Sequence, residues 1–238
     1  MTDQEILDLY KAQSKNVQHL NRVINLLQKD INFYIRKSDD FQVAVKTKIF
    51  SLVYSAWSEA QFVQILYTPH GFMYSEICKI KNKKDKNGIS EGWKFMLELA
   101  LDKVGDSQTN KDLNKRLVKL ISLIKSYIEE PSVLRNKIAH GQWVNALNRE
   151  NTSKNDDLTT QIENLDPIEI GKRVQIHRFL GFIVRDLVQS PKAGFHNHYW
   201  TNIVNLEQVI KQTQNWSLTS KKQLLSKKPI QYESKSKS

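Results

Sequence analysis

One cysteine, five prolines and eight glycines in 238 residues leave this chain few of the residues that staple, break or sharply turn a backbone. The lone Cys78 has no partner for an internal disulfide, which excludes a disulfide-built fold and fits a reducing compartment. Scarce Gly and Pro mean few turns and favour long helices. No apolar run approaches the ~20 residues of a membrane-spanning helix, and the opening MetThrAspGlnGlu does not read as a secretory signal. The expectation is a cytoplasmic protein with no membrane partner. Gly-rich phosphate loops, paired-Cys motifs and Ser-His-Asp arrangements are also missing from the sequence.

What the chain has in excess is positive charge. The formal net charge is +11 and the sequence pI about 9.5, a balance that draws polyanions at long range. Six lysines against Glu233 place +5 of it in the last twenty residues. With 39% apolar and 26% charged residues, the remainder reads as one globular core.

Apolar spacing assigns the elements. Val17, Leu20, Ile24, Leu27, Ile31 and Tyr34 alternate at three and four residues and predict an amphipathic helix from about Glu5 to Arg36. SerAspAsp at 38–40 starts a second, Val43 to Tyr67, with Ile49, Leu52, Val53, Ala56, Ala60 and Val63 as its inward stripe. ThrProHisGly ends it, a short turn follows at 72–79, and the lysine-rich run 79–88 reads as a polar loop. Lys81, Lys83 and Lys84 in that run are candidate phosphate contacts. Further helices are expected from Glu91 to Val104 behind a Ser90 cap, and from Lys111 to Ile128. Another should run from Pro131 past His140, then one from the Asp166-Pro167-Ile168-Glu169 start to Gln189, and a last from Tyr199 to Gln214. Residues 148–157 read as a polar loop able to overhang the preceding helix. The expected organisation is all-α: a bundle of long antiparallel helices over 1–216, then a flexible basic C-terminal tail, 217–238.

The stretch with the most chemistry is Arg135-Asn136-Lys137-Ile138-Ala139-His140-Gly141. Pro131 suits a first helical turn and Gly141 an end. Val133, Leu134, Ile138 and Ala139 are expected to pack. At ~100° per residue Asn136 and His140 lie ~40° apart, whereas Arg135 and His140 lie ~140° apart. Arg and His therefore meet at one small ligand only if the Arg wraps the helix end or a second copy completes the site across a two-fold axis. In the second helix, Glu59 falls beside the apolar stripe, where a carboxylate needs a partner; Arg135 is the candidate.

This Arg-Asn-x3-His-Gly pattern resembles the Arg-x4-6-His signature of the HEPN superfamily, small all-α proteins that include metal-independent ribonucleases of prokaryotic defence and toxin–antitoxin systems. The resemblance implies a homodimer with the motif at its interface and RNA as substrate. It also implies a possible antitoxin or neighbouring protein as partner, and no metal or other cofactor. Catalytic candidates on that basis are Arg135, Asn136 and His140, with Glu59 matching an acidic or polar residue of an early helix. Arginine would hold the scissile phosphate and histidine would move the proton; Asn136 would orient the imidazole or bond the ribose. Lys137 is expected to face solvent or the RNA backbone. Two other readings stand beside this one: a catalytically silent RNA- or protein-binding module of the same type, and a helical adaptor in which Arg135 and His140 only cap a helix end. His196 and His198, with His177 upstream, lack the additional ligands of a metal site. Trp143, Trp200 and Trp216 offer either base stacking or packing.

Overall fold

A computed structural model describes residues 1–227. Helices α1 (Asp3–Arg36) and α2 (Asp40–Leu66) form a long antiparallel hairpin. A Thr2–Glu5 capping box starts the first and Asp39 caps the second. Lys46 meets Asp30 at one end, and Gln13 donates to the Ala60 carbonyl at the other. Next come α3 (Tyr74–Asn87) and α4 (Ile89–Asp102), joined at Gly88, whose φ of 93° suits a residue without a side chain. Then follow α5 (Lys111–Ile124), a π-helical turn (Lys125–Glu129), α6 (Glu130–Ala139), α7 (Asp156–Glu163), α8 (Pro167–Gln189), α9 (Gly194–Thr213) and α10 (Leu218–Ser226). Among the described residues the only extended pairing is an isolated bridge between Leu147 and Lys154. None of the described helices is long and apolar enough to cross a membrane.

Four expectations are corrected. The 79–88 run is helical: Ile77 and Ile80 bury a narrow stripe, and lysine is a good helix former, so α3 continues through it. The cap of α4 is Gly88 in place of Ser90. On α2 the inward face holds Phe50, Tyr54, Trp57 and Phe62, while Ala56 is exposed. That helix is packed by α1, α6 and α8 on different sides, so no single stripe describes it. The tail expected from 217 begins as α10, capped by Ser217 and held by Leu225 in the core and by Lys222 on Asp40; the rest of that tail, 228–238, lies outside the described residues.

Pro131 stands in the first turn of α6, as expected, but α6 continues one rod running from Lys111 to Ala139. Proline has no N–H for the carbonyl four residues back, that of Tyr127, and its ring would collide with it. The π turn relieves this conflict: Glu130 donates to the carbonyl of Lys125, five residues back, and the helix widens. The displaced Tyr127 carbonyl accepts from the Tyr54 hydroxyl of α2. His177 lies against this pair, its Nδ1 3.3 Å from the Tyr54 oxygen and its ring among Tyr54, Trp57 and Trp93. The imidazole is wholly buried, and burial holds its pKa down to about 3 from 6.5. It is a core histidine in a cage of rings, and Nε2 has no partner among the described residues.

Tyr54→Phe leaves the Tyr127 carbonyl without its donor and should cost about 1–3 kcal/mol in urea unfolding, against no measurable loss if the bond is dispensable. A depressed histidine pKa means that the neutral form folds. Its contribution is complete above the unfolded value near 6.5 and declines by about 1.4 kcal/mol for each pH unit below it, down to the folded value. The stability difference between wild type and His177→Phe should therefore shift in favour of the variant between pH 6.5 and 4; a difference independent of pH would refute neutral burial.

Candidate functional site

A small apolar cluster sets the pose of α6. Leu134 and Ile138 bury with Ala146 and Ile162 and pack on Leu52 of α2. With those two facing in, Arg135 on one flank reaches α2 and its Nη2 donates to the Glu59 carboxylate. The pairing anticipated for Glu59 beside the apolar stripe is present, with the carboxylate still 40% exposed. Tyr54, Ser58, Tyr127 and Ser132 line the surrounding crevice, a cavity of about 10 Å³, room for one water at most and too small for a phosphate. Arg135 Nε and Ser58 Oγ are buried there with no partner among the described residues.

Asn136 and His140 face elsewhere. Both are exposed, on a stripe with Val133 at 48% exposure; Ala139 is exposed too, so Val133 and Ala139 do not pack as expected. The helix turns these four outward because Leu134 and Ile138 take the whole buried face. Within one chain Arg135 and His140 thus point apart, as their ~140° separation requires.

His140 is not needed as a cap. Gly141, at φ +82°, ends α6 by donating to Ile138, and the Gln142 N–H donates to Lys137, the paired bonds of a Schellman motif. Trp143 Nε1 donates to the Ile138 carbonyl as well, at 2.9 Å. Those bonds satisfy the last carbonyls by other means, and among the described residues the His140 imidazole makes no hydrogen bond. Trp143 is half-buried, which favours packing over base stacking.

The half-buried Lys137 donates its ammonium to the Leu147 carbonyl at 2.6 Å and ties the following segment to α6. The 148–157 loop is folded on itself through Asn148, which accepts from Thr152, and Asn155, which caps α7. On α3, Lys83 lies 3.9 Å from Glu91 and Lys84 pairs with its neighbour Asp85; Lys81 is exposed. Glu91 also binds Lys94, which binds Glu129 of the π turn, so an ion-pair chain joins this lysine helix to the motif rod. His196 and His198 sit on α9, facing Arg116 and Asp186 respectively, apart from the caged His177. Sequence reasoning missed Tyr54 and Tyr127 altogether; the signal was Pro131, whose missing amide identifies Tyr127 as a carbonyl in need of another donor.

Gly141→Ala meets no atom within 4 Å, so its effect is purely conformational: a cost of about 1 kcal/mol in urea unfolding, with Gly141→Asn recovering part of it. Equal stability of all three proteins would show that the left-handed cap is not what ends α6. No family model, curated protein or solved structure matches the chain.

Proposed function

We propose that this protein is a HEPN-like, metal-independent endoribonuclease acting as a homodimer in prokaryotic defence or as a toxin restrained by an antitoxin or neighbouring protein. The observation that carries the reading is the uncapped His140, exposed beside Asn136 on a stripe that also presents Val133. An imidazole with no hydrogen bond among the described residues, on a helix end capped by other groups, is placed for work on something outside its own chain. The same outward stripe suits a two-fold contact, which would bring one chain's Arg135 toward its partner's His140. Net charge of +11 favours an RNA substrate.

The reaction is attack of the ribose 2′-oxygen on the adjacent phosphorus, with the 5′-oxygen leaving. His140 removes the 2′ proton or delivers one to the leaving oxygen, a role worth about 10²–10⁴-fold. Asn136, one turn earlier, orients the ring or the ribose. Arg135 offers its remaining N–H groups to the phosphate while Glu59 fixes its guanidinium plane. Products carry a cyclic phosphate and a 5′-hydroxyl.

The second reading is a catalytically silent module that binds RNA or protein. It is favoured by the neutralisation of Arg135 by Glu59 in a crevice too small for a phosphate. Cleavage of mixed RNA in excess EDTA separates the two: the nuclease cuts, leaves cyclic ends and loses this activity in His140→Ala, whereas the silent module binds and does not cut. A composite site makes a sharper prediction. Arg135→Ala and His140→Ala subunits, each inactive, should regain about a quarter of wild-type cleavage when mixed, because half of the dimers then hold one complete site. A mixture no better than its parents rules the shared site out.

A further inference from the structure

A cavity of about 640 Å³ lies between α1, α8 and α10 and shares no residue with the motif helix. Its size is that of a small-molecule site. Three helices present matched faces to it: Gln28 and Asn32 from α1, Ile168 and Gln175 from α8, Lys221 and Leu224 from α10. Trp216, half exposed at the turn into α10, and Phe50 at the base complete the apolar surface.

The uncharged polar groups are three amides and the hydroxyls of Ser217 and Ser220. Gln28, Asn32 and Gln175 are amides, able to donate and accept, and no carboxylate lines the cavity. Two lysines do. Lys172 is neutralised by Glu169 and also donates to the Trp216 carbonyl, which fixes the turn that carries the indole. Lys221 has no acidic partner among the described residues, although its neighbour Lys222 is paired with Asp40. Gly171 matters here because a Cβ in its place would stand 3.2 Å from Gln28 Nε2; its absence gives that amide room at the cleft wall.

We infer that this cleft binds a small aromatic carboxylate, its ring against Trp216 and Leu224 and its anionic head between Lys221 and the α1 and α8 amides. Lys221, the one lining cation without an acidic partner among the described residues, selects an anion, and the apolar wall of Trp216 and Leu224 selects a ring over a hydrated ion. An ammonium and amide N–H groups together satisfy both carboxylate oxygens. The inference is independent of the nuclease reading, since its readout is binding.

Calorimetric titration of the full chain with indole-3-propionate tests it. Saturable one-to-one binding is expected, weaker by about tenfold in Lys221→Glu and in wild type titrated with the neutral propionamide. Gly171→Ala should weaken it through Gln28, and Leu224→Trp, at an exposed position that tolerates bulk, should block the cleft; His140→Ala should bind as wild type does. The proposal is overturned by absence of saturable binding, by equal affinity for acid and amide, or by wild-type affinity in Lys221→Glu and Leu224→Trp together.

Discussion

A single missing hydrogen shapes this molecule around its motif. Because Pro131 cannot donate, the carbonyl of Tyr127 turns out of its helix and is taken up by Tyr54, binding the middle of the longest composite helix to the central one. The π turn that accommodates the proline also resets the rotation of everything after it. An uninterrupted α-helix would carry Leu134, Arg135 and Ile138 to other azimuths. The widened turn sets Leu134 and Ile138 on Leu52 and Arg135 on Glu59, which leaves the Asn136–His140 face outward.

The candidate site is consequently divided by mechanics as well as by angle. Arg135 belongs to the packed side of α6, restrained by an ion pair with Glu59, a partner still 40% exposed and therefore open to exchange. His140 belongs to the solvent side, on backbone whose geometry is set by Gly141 and Trp143. One group is immobilised by a charge and the other by a cap. Each is pre-oriented without contact to the other, a condition for assembly by a second molecule with little ordering cost.

Much of the architecture was legible, for reasons that differ by element. In α1 one face meets protein and the other water, so Val17, Ile24, Leu27 and Ile31 stand out by period and are buried. For α8 the Asp166-Pro167 start is chemical punctuation and was readable without any packing. Burial on several sides erased the period in α2. Lysine runs look alike whether solvating a loop or a helix, which hid α3, and the Leu218–Leu225 spacing of α10 was outweighed by its polar composition. At the site, the pairing of Glu59 with Arg135 was suggested by a carboxylate next to an apolar stripe, although that carboxylate stays 40% exposed. The bond of Lys137 was not legible, because its partner is a backbone carbonyl, Leu147, and no sequence pattern announces a backbone acceptor. Equally, the cleft under α10 needs three helices to exist and so has no signature in any one of them.

The smallest of the three apolar clusters, the one beneath the motif, has a kinetic meaning. Leu134, Ile138, Ala146 and Ile162 are its only fully buried members among the described residues, whereas α2, α4 and α8 share cores several times larger. A unit with so little burial opens on its own, far below the free energy of global unfolding, and carries α7 and the segment after His140 with it. Amide protons of α7 and of the segment leading into it should thus exchange ahead of those in the two larger cores.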